Sequence, residues 1–398
     1  MKSIKLVKKL KGKKVLVRVD FNVPVKNGKV LDDFRINATL PTIKYLSQAG
    51  AKVILVSHLG RPEGAIDPEL KLDVIAGCVS SLLKKKVNKI DTRDFKFKKE
   101  ELEDLRDSLD KLRNGQVVIL ENIRFSPYET KNTGTLARDL ASLADIFVFD
   151  GFSVAHRDSA SVTGVADYLP SYAGLLLEKE IEGLEKILKR PKKPFVAIMG
   201  GVKVETKAPV IKNLLPRVNN ILIGGCILNT YLGCLGYGVG MSLVDKKCEA
   251  ILEKLAKKRK VILPVDLIVG DNRGRKVRVV KLGKKPHKIC TGHEGIYDIG
   301  PESIRLFSKY IKKAQTLVWN GSVGYFEQKP YNVGTLSIAR LVASRSKGKA
   351  FGVIGGGETL QAMKEAKMGE FVDLISTGGG AMIKYLAGNK LPGIEMLK

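Results

Sequence analysis

Lys14-Val15-Leu16-Val17-Arg18-Val19-Asp20-Phe21-Asn22-Val23-Pro24 opens as an apolar, β-branched run and closes on polar residues and a proline. Val15 to Val19 has the length of one buried strand, and Asn22 and Pro24 stop it. Arg18, Asp20 and Asn22 therefore fall at or just past the strand's C-terminal end. In an open α/β sheet that edge is where ligands bind. A cation, an anion and an amide are crowded there, which raises the question of what they hold.

Similar apolar runs recur at Lys52–Ser57, Gln116–Leu120, Ile146–Phe149, Phe195–Ile198, Asn220–Ile223, Val261–Val265, Thr316–Trp319, Ala350–Ile354 and Phe371–Ser376. Helical patterns lie between them, among them Ala38–Ala49, Gly174–Leu188, Ala208–Leu215, Lys246–Lys257 and Thr359–Ala366. This βαβ rhythm predicts an α/β protein with parallel sheets covered on both faces. The alternation breaks at residues 164–194, where a long helical stretch ends in Lys189-Arg190-Pro191-Lys192-Lys193-Pro194. A helix closed by two prolines between two α/β blocks reads as a connector. The expected division is a first domain at 1–173, a connecting helix and hinge at 174–194, and a second domain at 195–381.

The chain's 398 residues are 44% hydrophobic, enough for a sizeable core. No apolar run approaches the ~20 residues of a membrane span. Neither the basic N-terminus nor the C-terminus reads as a targeting signal. The five cysteines, Cys78, Cys226, Cys234, Cys248 and Cys290, include no CxxC pair. Reduced thiols and a cytoplasmic location are expected.

The net charge of +28 comes from 69 basic and 41 acidic residues. Its clusters are separate: Lys8–Lys14, Lys84–Lys86, Lys96–Lys99, Lys189–Lys193, Lys257–Lys260 and Arg273–Lys288. Aromatic residues do not interleave with them, so no platform for stacking single-stranded bases is evident. The expected reading is a solvated basic surface that steers anionic small molecules, with neither nucleic acid nor membrane as partner. Nucleic-acid binding is the competing class, and steep salt dependence is its mark.

Arginine or histidine recurs just past the first runs. Arg35 lies in Asp32-Asp33-Phe34-Arg35-Ile36. Ser57-His58-Leu59-Gly60-Arg61-Pro62, Glu121-Asn122-Ile123-Arg124-Phe125 and Ala155-His156-Arg157-Asp158 follow the next three strands. One arginine after a strand is ordinarily a surface ion pair. Several cations at one sheet edge repel one another unless an anion joins them, and the guanidinium fork fits phosphate and carboxylate. Asp20 and Asn22 suit hydroxyls. The first half therefore looks built for a small, polyanionic, hydroxylated molecule. His58 and His156 each neighbour an arginine, which disfavours a bound metal and an imidazolium.

The second half places glycine-rich segments after its strands: Met199-Gly200-Gly201-Val202-Lys203-Val204-Glu205-Thr206-Lys207, Ile223-Gly224-Gly225, Ile354-Gly355-Gly356-Gly357-Glu358-Thr359 and Ser376-Thr377-Gly378-Gly379-Gly380. Glycine lets backbone approach a ligand, and bare amides at a helix start hold phosphate. Lys203 and Lys207 are four apart, on one face if the segment is helical. Together these features point to a nucleotide site. The chain contains neither GxxxxGK[ST] nor GxGxxG, which weighs against P-loop NTPases and dinucleotide dehydrogenases. Trp319 in Trp319-Asn320-Gly321-Ser322 reads as a core residue, and Glu327 suits ribose hydroxyls.

These segments, with Asp298-Ile299-Gly300-Pro301 and Leu391-Pro392-Gly393, closely resemble the phosphoglycerate kinase family, in order and over nearly the whole chain. The resemblance implies two Rossmann-like domains joined by a long hinge helix, with residues of about 382–398 returning to the first domain. It implies reversible, Mg²⁺-dependent phosphoryl transfer between 1,3-bisphosphoglycerate and ADP, giving 3-phosphoglycerate and ATP in glycolysis, by a monomer. By resemblance, Asp20 and Asn22 hold the glycerate hydroxyl. Arg35, His58, Leu59, Gly60, Arg61, Arg124 and Arg157 hold its charged ends. Gly201, Lys203, Lys207, Gly225, Gly295, Asn320, Glu327, Gly356, Gly357, Glu358 and Thr359 take Mg-ADP or Mg-ATP, with Glu358 at the metal. Arg35, Lys207, Gly379 and Gly380 face the transferring group, the last two at a helix starting within Thr377–Gly380.

Several positions depart from the family's pattern. Glu358 stands for the usual aspartate at the metal, Val202 for a small residue, Ser322 for a proline and His293 for a tryptophan. Phe149–Val154 and Cys226–Asn229 also differ. The charged substrate groups are kept, so an active enzyme is expected. A weakened homologue is the alternative that Glu358 raises.

Overall fold

The structure is a computed structural model, and it describes residues 1–245 and 259–398. The expected helix Lys246–Lys257, Cys248, and Lys257 and Lys258 of the Lys257–Lys260 cluster lie outside the described residues. The chain divides into two compact units: 1–181 together with 390–398, and 182–389. Among the described residues no helix is long and apolar enough to cross a membrane.

In the first unit six strands form one parallel sheet. Their order is Val87–Ile90, Val117–Leu120, Lys52–Val56, Lys14–Arg18, Ile146–Phe149 and Ser171–Ala173. The central strand Lys14–Arg18 pairs with Lys52–Val56 on one side and Ile146–Phe149 on the other. Its last four residues are all buried. Helices cover both faces, so the run is apolar throughout instead of alternating. Burying one such Val or Leu side chain contributes about 1.5–3 kcal/mol. The register sets Arg18 beside Val56 and Phe149. The loops that follow these strands therefore leave the sheet along one edge.

The polar edge strand Val87-Asn88-Lys89-Ile90 and the three-residue Ser171–Ala173 carry little periodic signal and are not predicted. Helix Phe34–Gln48 starts one turn earlier than the expected Ala38, and Pro41 lies within it. The short helix Pro392–Glu395 belongs to this unit, where Gly393 N–H donates to Ala155 O at 2.9 Å. Helix Leu175–Lys189 carries the chain from the first unit into the second.

The second unit holds another six-stranded parallel sheet, ordered Val261–Ile262, Asn220–Ile223, Phe195–Met199, Thr316–Asn320, Phe351–Gly355 and Leu374–Ser376. Asn320 pairs in register with Met199 and Gly355, and Gly355 with Ser376, so the glycine-rich segments also issue from one edge. Trp319 is wholly buried in this unit's core. Val261–Ile262 is shorter than the expected Val261–Val265, because the chain leaves the edge to enter a second, three-stranded antiparallel sheet. That sheet, Arg278–Lys281, Asp266–Gly270 and Gly295–Ile299, is not expected from the βαβ rhythm.

Candidate active site

Arg18 is only 1% exposed, and each of its three side-chain nitrogens has a neighbour inside the first unit. Nε donates to Ser161 Oγ at 2.7 Å, Nη1 donates to Val19 O, and Nη2 lies 3.3 Å from His58 Nδ1. It is a brace under the site, not a free anion ligand. Asp20 is nearly buried as well. Its Oδ2 accepts from Arg35 Nη1 at 2.8 Å and from Ser153 Oγ, and its Oδ1 accepts from Asn22 N–H at 3.0 Å. Burial alone would raise the Asp20 carboxyl, but the Arg35 guanidinium and the hydrogen bonds from Ser153 and Asn22 help hold it below its usual value. Arg35 Nη1 also donates to Asn22 O, and the side chain remains about one third exposed.

Asn22 Oδ1 accepts from Gly60 N–H at 3.0 Å, which ties the first loop to the second. Asn122 clamps the same loop, its Nδ2 donating to Leu59 O and its Oδ1 accepting from Leu59 N–H. His58 is buried beside this network, and burial with Arg18, Arg124 and Arg157 holds its imidazole well below its usual pKa despite Asp20. A neutral imidazole results, as its arginine neighbours predict.

Arg61, Arg124 and Arg157 line one cleft of about 430 Å³, together with Glu63 and Lys131. Among the described residues none of the three arginines is in an ion pair. Burial, Arg157 and Arg18 lower the Arg124 guanidinium to about 10. Arg124 Nη1 donates to Gly60 O at 2.6 Å, which fixes its direction. Lys131 was not singled out from the sequence, since it lies six residues past a strand-end motif. Asp20, Asn22, Arg35 and His58 do not line this cleft; they form the bonded network next to it in sequence and charge.

In the second unit, Gly201 has φ +80° and packs against Lys207 and Glu358 so closely that a Cβ there would strike both. Lys207, on helix Val204–Leu214, is 5% exposed and donates from Nζ to Gly200 O at 2.5 Å. Burial lowers its ammonium pKa, and Glu358 opposes that shift. Lys203 is the residue capping this helix and is exposed, so the expected pairing of Lys203 and Lys207 on one helical face is corrected: Lys203 precedes the helix.

Glu358 stands in the first turn of helix Gly357–Glu365, and its Oε2 accepts from Ser322 N and Oγ, both at 3.3 Å. Asn320 and Thr359 hold loops instead of facing open space. Asn320 Nδ2 donates to Gly355 O at 2.6 Å, and Thr359 Oγ1 accepts from Gly321 N–H at 2.7 Å. Gly356 has φ +97°, which only glycine adopts without strain. The helix expected to start within Thr377–Gly380 runs from Gly380 to Leu386. Thr377 and Gly378 stay in the preceding turn, where Gly378 N–H donates to Ser376 Oγ.

A cavity of about 280 Å³ opens between these loops and is mostly apolar. Gly201, Gly225, Ser322 and Glu358 line one part; Leu228, Leu243, Ile296, Tyr297, Tyr325 and Glu327 line others. Gly295 does not line it; its neighbours Ile296 and Tyr297 do. Tyr297 stacks on Tyr331 with ring centroids 4.8 Å apart. These tyrosines escaped sequence reasoning because they sit in the unpredicted antiparallel sheet and the loop beyond Gly321.

A cationic cleft on one parallel sheet, and a lysine and a carboxylate at a glycine-lined apolar cavity on another, define a nucleotide-dependent phosphotransferase. Known proteins make this specific. A sequence model of the phosphoglycerate kinase family matches residues 4–389. A phosphoglycerate kinase of Pelotomaculum thermopropionicum is 46% identical over 395 residues, 98% of this chain and 97% of its own. The structure of phosphoglycerate kinase from Coxiella burnetii superposes with a TM-score of 0.85 at 37% identity, covering 99% of this chain and 98% of that one. That of Pyrococcus horikoshii gives 0.83 at 30% identity, covering 100% and 98%. The chain belongs to the phosphoglycerate kinase family, whose members transfer a phosphoryl group with ADP or ATP as co-substrate.

Proposed function

We propose that the first unit binds 3-phosphoglycerate or 1,3-bisphosphoglycerate and the second binds ADP or ATP. The carrying observation is the cleft of Arg61, Arg124 and Arg157, three cations with no ion-pair partner among the described residues. A doubly charged substrate offsets their repulsion, with its phosphate in this cleft. Asp20 and Asn22 orient the glycerate hydroxyl, and Arg35 turns its remaining donors to the group in transfer. In the second unit the apolar cavity takes the base, Glu327 the ribose, and the loops carrying Gly201, Gly225, Gly356 and Gly357 the phosphates.

The residues present fit a magnesium ion held mainly by the nucleotide. Among the described residues no cluster of three or more His, Cys, Asp or Glu stands ready for a metal, and Glu358 supplies one carboxylate. Mg²⁺ usually keeps waters and substrate phosphates as ligands with one or two carboxylates, so Glu358 suffices. When bound, the ion would neutralise phosphate charge.

Both nucleophiles, the ADP β-phosphate and the 3-phosphoglycerate carboxylate, are ionised at neutral pH, so no general base is needed. This chain's work is to position the substrates, exclude water and stabilise charge. Lys207 and Arg35 supply fixed positive potential to the equatorial oxygens, assisted by the Gly379 and Gly380 amides. The substrates sit on different units, so closure about helix Leu175–Lys189 is part of the proposal. A monomer in the cytoplasm completes it. A coupled assay with ATP, Mg²⁺ and 3-phosphoglycerate tests the reading. Turnover that needs all three supports it; ATP hydrolysis independent of 3-phosphoglycerate overturns it.

A further inference from the structure

The segment from Arg273 to Lys288 holds eight Lys or Arg among 16 residues and no Asp or Glu. Phosphoryl transfer uses none of them. The segment contains the outer strand Arg278–Lys281 of the antiparallel sheet, which pairs with Asp266–Gly270 on one side only. Two of the eight are neutralised: Arg275 by Asp271 at 3.0 Å and Arg278 by Glu294 at 2.6 Å. The other six, Arg273, Lys276, Lys281, Lys284, Lys285 and Lys288, are exposed, and none is in an ion pair among the described residues.

The backbone that carries these cations is fastened. Leu282 N–H donates to Val265 O at 2.8 Å, Gly238 N–H to His287 O at 3.0 Å, and Ile289 N–H to Gly238 O at 3.0 Å. Tyr237 Oη donates to Gly283 O at 2.6 Å, and its ring meets His287 edge-on at 5.3 Å. The charges are thus displayed on a fixed rim, which lowers the entropy lost when a partner orders them.

Against the expectation of no nucleic-acid partner, we infer that this rim binds the phosphate backbone of nucleic acid without reading its sequence. Charge complementarity selects a polyanion: six unpaired cations along one strand and its flanking turns match a repeating line of phosphates. Among the described residues the exposed apolar side chains beside them are Val265, Val277 and Val279, with no exposed aromatic side chain to insert into a bilayer or to anchor a protein interface. The same lack of aromatics removes base stacking, so the contact is electrostatic and sequence-independent.

Fluorescence anisotropy with a labelled 20-base-pair DNA duplex, titrated with the full chain at 50 to 300 mM salt, tests this. Six phosphate contacts give a slope of log K against log salt of about −5. The variant K281E/K284E/K285E reduces that slope by about 3. The equal-charge control K8E/K9E/K84E, in the other unit, leaves it unchanged. Kinase turnover stays at the parent value in both. Should the triple variant fold poorly, K284S/K285S in the turn reduces the slope by about 2. No binding at 50 mM salt, equal loss in variant and control, or tighter binding to phosphatidylserine vesicles than to the duplex overturns the inference.

Discussion

Replacing Lys207 by methionine isolates the charge proposed to act on the phosphoryl group, because methionine keeps most of the buried stem. Two stability terms oppose each other. Gly200 O loses the donor that Nζ supplies at 2.5 Å, and an unpaired buried carbonyl costs about 1–3 kcal/mol. Against this, an ammonium whose ionisation burial disfavours is removed, which relieves desolvation. The net change is about 1–2 kcal/mol, a melting shift of ~2–8 °C at ~2–4 °C per kcal/mol. Catalysis should suffer more. One preorganised electrostatic group is worth ~10²–10³ in kcat, about 2.7–4 kcal/mol. Steady-state rates with 3-phosphoglycerate and ATP should therefore show kcat lowered at least ~10²-fold with both KM values within about threefold of the parent. A kcat within threefold of the parent, with a folded variant, would refute the role given to Lys207.

Arg61→Ala removes one cation of the cleft and should raise KM for 3-phosphoglycerate about tenfold or more, as expected for a charge-assisted contact, with KM for ATP unchanged; equal effects on both would argue against separate sites. Glu358→Gln keeps the shape of the side chain but removes its charge, so the Mg²⁺ concentration for half-maximal rate should rise. An unchanged Mg²⁺ titration would remove Glu358 from the metal. Burial raises the Asp298 carboxyl to about 8 although it accepts the Ile299 and Gly334 amides. Unfolded, it titrates near 3.9. Between these values the folded state binds the extra proton, so this group's contribution to stability falls as pH rises from about 4 to 8. Asp298→Asn should flatten that part of the melting curve against pH, and an unaltered profile would count against the shifted carboxyl.

Much of this was legible in the sequence because the parallel strands are buried on both faces. Val15 to Val19 reads as a strand without any tertiary information, and so does Thr316 to Trp319. The polar residues after each run then map onto a single sheet edge, as the register of Arg18 with Val56 and Phe149 shows. What failed to show was set by long-range packing. Arg18 looks like a ligand until burial and Ser161, which is 143 residues away, claim its donors. The antiparallel strand Arg278–Lys281 is exposed and basic, so it lacks the apolar signal that marks the others. Tyr297 and Tyr325 reach the apolar cavity through that same sheet and the loop after Gly321. The expected Ala38 start misses the first turn of helix Phe34–Gln48, where Asp33 makes no side-chain cap hydrogen bond.

The most direct test is stereochemical. ATP made chiral at the γ-phosphorus with oxygen isotopes and sulfur, turned over with 3-phosphoglycerate, reports whether transfer is a single in-line displacement. Positioning by Lys207 and Arg35 without an enzyme nucleophile predicts inversion at phosphorus. Retention would require a phosphorylated enzyme intermediate and would contradict direct transfer between the two bound substrates.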